Sequence, residues 1–327
     1  MSFKEKILRI LRRLFYGWHR KAEKRYRQLN RALLRSLSGE TDPIASAPLV
    51  TNRRTSEEWR SLSPLWVLST GRTGTNTLTE LFRLSPKIDA YHEPSPELFQ
   101  LSHDYFMENI NDKQALLALM YARDEWVFRS FRDGYIYVET NNRVTYLSDL
   151  LQKLFPKSKF LYLHRNPYDF IRSGMRRRYY EEHLRDADRI TPMSGDEFYD
   201  EWQSFSTIEK VAWNWRTVNQ HSIDFLADLP DKQKMVLSSE SLFNADKTQV
   251  DALFDFIVSA DYRPSYTEAQ KVLDTKHNAQ KEGAFSKPGD WTDEQIAGVD
   301  RIIRPVAEQL SYKLFSSSSS EPKLHSK

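Results

Sequence analysis

Two hydrophobic rhythms alternate through the middle of the chain. Residues 65–70 ("LWVLST"), 159–165 ("KFLYLHR") and 234–239 ("KMVLSS") are short runs dense in apolar residues, the form taken by strands buried on both faces. A further short strand leads into "AYHEPSPEL" at 90–98. Between these runs the apolar residues recur at helical spacing. The pattern predicts helices from about Thr75 to Leu84, through most of 101–122, over 144–155, and near 247–259, 266–275 and 293–312. Asn166 and Pro167 form an N-cap and first-position pair that opens a helix expected to continue through "MRRRYYEEHLRD" to about 186. A long helix is predicted over 197–228, its stripe being Trp202, Phe205, Ile208, Val211, Trp215, Val218 and Phe225. Strands that alternate with helices argue for a parallel sheet covered by helices on both faces, an α/β fold.

The ends differ from this middle. In residues 1–38, Phe3, Ile7, Leu8, Ile10, Leu11, Leu14, Phe15 and Trp18 recur at helical spacing among many basic residues. This predicts a basic amphipathic helix, suited to an anionic membrane surface or to packing on the body or a second subunit, which leaves a homo-oligomer open. Residues 39–58 carry turn formers and predict a linker. Residues 59–315 form the α/β domain, and the serine-rich 316–327 predict a disordered tail.

Charge follows the same division. Of the formal +3, residues 1–38 contribute about +10, from 12 Lys and Arg against Glu5 and Glu23, so the rest of the chain carries about −7. The body is therefore not expected to bind nucleic acid. Cysteine is absent, which excludes disulfides, thiol nucleophiles and thiolate metal sites and favours a cytoplasmic setting, peripheral to the membrane if the basic helix docks there. No apolar run is long enough to span a bilayer, and no signal-type apolar core opens the chain.

The chemistry concentrates at two places. After the first strand comes "STGRTGTNTL" (69–78), a turn with Gly71 and Gly74 that runs into a helix start. Unsatisfied N–H groups and the helix dipole make such a junction an anion site. Glycines allow close backbone approach, and Thr73, Thr75, Asn76 and Thr77 add short donors. The nucleoside-triphosphate version places a Lys after its second glycine. Here the cation is Arg72, inside the loop. In the second place Arg165 ends a strand and Ser173 lies eight residues on. Eight residues at 3.6 per turn is about 800°, so the two fall within about 80° of one helix face, at the sheet edge where such folds bind ligands.

Together these segments resemble the sulfotransferases that use 3′-phosphoadenosine 5′-phosphosulfate (PAPS). "STGRTGTNTL" is similar to the family's 5′-phosphosulfate loop and "FLYLHRNPYDFIRSG" to its 3′-phosphate motif. "FSKPGDWTDEQ" (285–295) is similar to a late segment that closes over the nucleotide in several members. The resemblance runs from about 64 to 312 and is closer to the glycan-sulfating, protein-sulfating and bacterial branch than to the small-molecule cytosolic one. It implies a P-loop-like three-layer fold with a central, mainly parallel sheet, and metal-free sulfuryl transfer to a hydroxyl or amine of a glycan, glycolipid or small molecule. It implies that Arg72, Thr73, Gly74, Thr75, Asn76 and Thr77 hold the 5′ end of PAPS and that Arg165 and Ser173 hold its 3′-phosphate. Trp213 is implied as an adenine contact, and Lys281, Ser286 and Lys287 as a gate.

Transfer needs a base at the acceptor and positive charge at the leaving phosphate. The resemblance implies Glu93 as the base, with His92 beside it as the alternative, and Arg72 as a catalytic cation. Many members carry a Lys in an E-K-[ST]-P-like pattern, where this chain has Thr140 and Asn141 in "YVETNNRVTYL". Either Arg72 supplies that charge, or another Lys enters from a loop, or the activity is impaired. Glu139 is a candidate for acceptor hydroxyls or for holding the loop, and Arg177 and Tyr180 for an anionic or sugar acceptor. His164 is expected to pack internally. His183, His221 and His277 stand at no metal-ligand spacing. Two other readings share these residues: a nucleotide or sugar kinase, against which the missing Lys speaks, and a catalytically inactive, membrane-associated member of the fold.

Overall fold

The computed structural model describes residues 54–181, 183, 185–275 and 284–318. The proposed amphipathic helix of residues 1–38 and Lys281 lie outside the described residues.

Five strands form one sheet: β1 (Leu65–Leu68), β2 (Ile88–His92), β3 (Ile136–Thr140), β4 (Lys159–His164) and β5 (Lys234–Ser238). Every neighbouring pair is parallel, in the order β2-β3-β1-β4-β5. Strand β1 is central because alternate residues bury on opposite faces. Trp66 and Leu68 enter one core with Tyr137, Phe160 and Tyr162, while Leu65 and Val67 enter the other with Val138, Leu161 and Leu163.

The first core is closed by α1 (Ser56–Ser61), α3 (Phe99–Phe106), α4 (Asp112–Arg132) and α5 (Ser148–Leu154). The second is closed by α2 (Thr75–Phe82), α9 (Lys247–Asp255) and α10 (Tyr266–Asp274). A third core joins α6 (Pro167–Met175), α7 (Thr207–Ala227) and α11 (Asp293–Gln309); the short α8 (Ser239–Phe243) follows β5. This is the expected three-layer arrangement, with the sheet parallel throughout.

Several boundaries differ from the sequence pattern. Residues 56–58, expected in the linker, belong to α1, which Thr55 and Glu58 cap reciprocally and which Trp59 anchors in the first core. Strand β3 was not anticipated. Helix α6 stops at Met175 instead of running to 186, because Arg178 and Tyr180 adopt left-handed backbone conformations (φ 58° and 62°). Helix α7 begins at Thr207, not 197. Ser206 and Glu209 form a capping box there, and Trp202 and Phe205 reach the same core from a 3₁₀ turn and the residue that follows it. A short helical stretch at Phe315–Ser318 extends into the expected tail.

Candidate active site

The sheet order places the end of β1 between β3 and β4, at the switch point where chain crossovers diverge to either side and a crevice opens. There lies a cleft of about 770 Å³. One wall is the turn after β1. Gly71, Arg72 and Gly74 take φ of 74°, 59° and 92°, and Gly74 is the N-cap of α2. Glycine is required at 74 twice over: a Cβ there would sit 2.8 Å from Phe243 Cζ, and its backbone is left-handed. The turn is pinned from behind. Ser69 N–H donates to Thr145 Oγ1 (3.0 Å), Thr145 Oγ1 donates to Ser69 O (3.1 Å), and Ser239 Oγ donates to Thr73 O.

The second wall is the end of β4 and the start of α6. Arg165 Nη1 donates to Arg72 O at 2.8 Å, and Arg72 Nε reaches Ser173 Oγ at 3.4 Å. The two segments singled out in the sequence are thus in direct contact. Arg165 is held through its own backbone by Trp215 Nε1, which donates to Arg165 O at 3.0 Å, and by Glu240, which accepts from Asn166 N–H at 3.0 Å. Asn166 caps α6 by accepting from Tyr168 N–H and Asp169 N–H.

The third wall is the segment after β2. Glu93 adopts a left-handed φ of 46°, its N–H donates to Thr140 O (3.2 Å), and its side chain is exposed at the cleft. His92 also lines the cleft. Its Nδ1 lies 2.9 Å from Thr140 Oγ1 and 3.1 Å from Thr140 O. Thr140 Oγ1 lies 2.5 Å from Thr79 Oγ1, which donates to Thr75 O at 2.9 Å. Thr140 Oγ1 also donates to Tyr91 O at 3.4 Å. Since a carbonyl only accepts, the contact with Thr140 O places a hydrogen on His92 Nδ1. Thr140 therefore orients His92.

Of the residues expected at the site, Arg72, Gly74, Thr75, Asn76, Thr77, His92, Glu93, Arg165 and Ser173 line this cleft. Thr73 does not: its side chain is buried, with Oγ1 meeting no partner among the described residues. Nor does Trp213, which is buried against Trp202 (centroids 5.0 Å apart) in the third core; its neighbour Trp215 is the one that serves the site. Ser286 and Lys287 are exposed and lie off the cleft lining, although Phe285 O accepts from Arg172 Nε at 3.3 Å. Tyr180 is tied to Ile190 O (3.0 Å), and Tyr179 lines the cleft in its place.

Glu139 does not face the cleft. It is fully buried, paired with Arg123 at 2.6 and 2.7 Å, and accepts from Tyr137 Oη and Asn141 Nδ2. Arg123 Nη1 also donates to Pro96 O (3.1 Å), so this pair fixes the segment that carries Glu93. His164 packs internally against Tyr312.

Pattern reasoning passed over Asn142, Arg143, Tyr179, Arg185, Arg189 and Phe243, which also line the cleft. No motif marks them; the run of basic residues after 175 was the one available signal. Eight arginines line the cleft against four carboxylates, Glu93, Asp169, Glu240 and Asp274. Burial, with Arg177 and Arg165 nearby, pushes the Arg72 guanidinium below its ordinary range, while Tyr179 and Glu93 oppose the shift. Arg177 Nε is buried and meets no hydrogen-bond partner among the described residues. Excess half-buried positive charge of this kind, beside a glycine turn at a helix start, is matched to a polyanionic ligand. Among the described residues no cluster of His, Asp or Glu is arranged to hold a metal ion, and no helix is long and apolar enough to cross a membrane.

Residues 62–306 match the family model described as "Sulfotransferase domain", three quarters of the chain. The protein therefore belongs to the sulfotransferase domain family, whose chemistry is sulfuryl transfer. Among solved structures, this chain is similar to a sulfotransferase from Alicyclobacillus acidocaldarius (17% identity, 78% of this chain and 98% of that one, TM-score 0.44). It is also similar to the sulfotransferase domain of the Synechococcus PCC 7002 olefin synthase (14%, 77% and 97%, 0.45) and to mouse sulfotransferase SULT7A1 complexed with PAP (12%, 78% and 87%, 0.41). A comparison with curated proteins returns no match.

Proposed function

We propose that this protein transfers the sulfuryl group of PAPS to a hydroxyl, or an amine, of a glycan, glycolipid or small-molecule acceptor, with Glu93 as base. The observation that carries the reading is the junction of the two motifs: Arg165 donates to the backbone of Arg72, and Arg72 reaches Ser173, all lining one cleft. The turn 71–77 offers backbone N–H groups and hydroxyls to the 5′ end of the donor, and Arg165 and Ser173 offer a guanidinium and a hydroxyl to its 3′-phosphate.

When bound, the donor supplies a sulfuryl group joined to a phosphate. The acceptor oxygen forms the new S–O bond as the S–O bond to that phosphate breaks. Glu93 takes the acceptor proton, and Arg72 meets the charge left on the phosphate. Arg72, which lines the cleft, is the cation proposed to meet that charge. His92, tied through Nδ1 to Thr140, lines the cleft beside Glu93 and orients the acceptor hydroxyl.

Two measurements test this together. Calorimetry should show 3′,5′-adenosine bisphosphate (PAP) binding without Mg²⁺, whereas a kinase would require ATP and Mg²⁺. Glu93→Gln should lower turnover by roughly 10²–10⁴-fold, as expected for a general base, with PAP affinity unchanged. Full turnover in Glu93→Gln together with its loss in His92→Asn would move the base to His92.

A further inference from the structure

Six of the eight arginines of the cleft fall into two sets, and one of the sets has no task in holding the donor. Arg72 is influenced by Arg177 and Arg165 and, with opposite sign, by Tyr179 and Glu93. Arg143 is influenced by Arg189 and, with opposite sign, by Tyr179, Glu93 and Asp188. Glu93 and Tyr179 are thus neighbours of both sets, and all of these arginines line the one cleft. Arg72 and Arg165 belong to the donor motifs, and Arg177 lies just beyond the second of them. The other set, Arg143 with Arg185 and Arg189, lines the cleft around Phe99, whose ring Arg143 and Arg185 both cover.

Within that second set the charges are unequally matched. Arg185 pairs with Glu97 at 2.5 Å, and Arg189 pairs with Asp186 at 2.7 Å. Arg143 has no carboxylate within ion-pair distance among the described residues, and its Nε is buried with no hydrogen-bond partner there. Its guanidinium lies over the Phe99 ring, 4.1 Å from the centroid, so the group is held in place by stacking and not by a counter-charge. Burial, reinforced by Arg189, pushes its pKa down to about 10, which still leaves it cationic at neutral pH. A guanidinium held in place with its Nε out of water and no ion-paired carboxylate gains when a ligand brings one.

We infer that Arg143 is a specificity residue for an acceptor that carries an oxyanion, a carboxylate or phosphate, beside the hydroxyl to be sulfated. The inference rests on the sulfuryl-transfer reading above. A planar guanidinium accepts such a group through two parallel N–H···O bonds, which fixes the acceptor's orientation as well as its charge. With the anion on Arg143, the acceptor hydroxyl is directed toward Glu93, which lines the same cleft. A neutral alcohol of the same shape would leave the guanidinium without an anionic partner.

The test uses the full chain saturated with PAP and matched probes: 4-hydroxyphenylacetate, methyl β-D-glucuronoside and 3-hydroxybutyrate against their methyl esters, and glycerol 3-phosphate against glycerol. Binding is read by calorimetry and turnover with PAPS. At least one charged member should be favoured over its neutral partner by roughly tenfold or more, the worth of one charge-assisted hydrogen bond. Arg143→Met should erase that preference, and Arg143→Lys should restore part of it, while PAP affinity stays within about twofold of wild type in both. Equal treatment of charged and neutral partners by the wild type, a preference that survives in Arg143→Met, or failure of every charged probe to bind would each overturn the assignment. Loss of PAP binding by the wild type itself would instead remove the donor reading, and the two failures are read on separate axes.

Discussion

Lowering the pH should destabilise this domain through one histidine next to the site. His164 ends β4, is 8% exposed, and hydrogen-bonds through Nδ1 to Tyr312 Oη at 2.7 Å. Tyr312 Oη in turn donates to Glu240, the residue that accepts from Asn166 N–H and so holds the turn presenting Arg165. Burial pushes the His164 pKa from its ordinary 6.5 down to about 4, with Glu240 opposing the shift. Between those values the unfolded chain binds a proton that the folded chain does not. The contribution is therefore full above pH 6.5 and is lost as the pH falls toward 4. At pH ~4.5 the linkage amounts to about 2.5 kcal/mol, against about 0.2 at pH ~7, a large share of a typical domain stability of about 5–15 kcal/mol. Urea unfolding at both pH values, on wild type and His164→Phe, isolates the effect, because the other titrating groups are common to both proteins. Wild type should lose about 2 kcal/mol more than the variant. Equal losses would show that His164 is not held neutral, and the network behind Arg165 would need another basis.

Two other substitutions probe the frame of the site. Gly74→Ala forces a side chain into a left-handed position and onto Phe243, so it should cost on the order of 1–3 kcal/mol in urea unfolding and weaken PAP binding in calorimetry; wild-type values for both would contradict the geometry of the turn. Glu139→Ala leaves Arg123 buried without its carboxylate and should destabilise by about 3–5 kcal/mol, with the double variant Glu139→Leu, Arg123→Met recovering part of the loss; equal stability of Glu139→Ala and wild type would show that the pair is not desolvated.

The parts of the site that rest on local backbone logic were legible in the chain. "STGRTGTNTL" signals a strand, a left-handed turn and a helix start through its own residue types, and Arg165, Asn166, Pro167 and Ser173 announce a strand end and a capped helix. Strand β3 escaped because Glu139 interrupts its apolar run. A carboxylate reads as exposed until Arg123, 16 residues earlier, is seen to bury with it. The overlong α7 arose because Trp202 and Phe205 continue the apolar spacing of the helix while lying on a different backbone; the Ser206/Glu209 capping box was the signal that separated them. The sequence put Trp215 in the apolar stripe and Trp213 at the donor's adenine, whereas Trp213 packs in the third core and Trp215 holds Arg165. They stand about 200° apart around α7, and only the packing of that helix decides that Trp215 meets Arg165.

What the sequence determined alone is whatever depends on near neighbours along the chain: the alternation of strand and helix, the glycine turn, the caps, and the chemical kinds of residue brought to the end of β1. What the tertiary structure decided is which distant charges share a space. Arg72, Arg143, Arg165 and Glu93 come from four separate segments and meet because β1 is flanked by β3 and β4 at a crossover point. Electrostatic and hydrogen-bond energies depend on separation in space and on loss of water, and neither quantity is written in the order of residues.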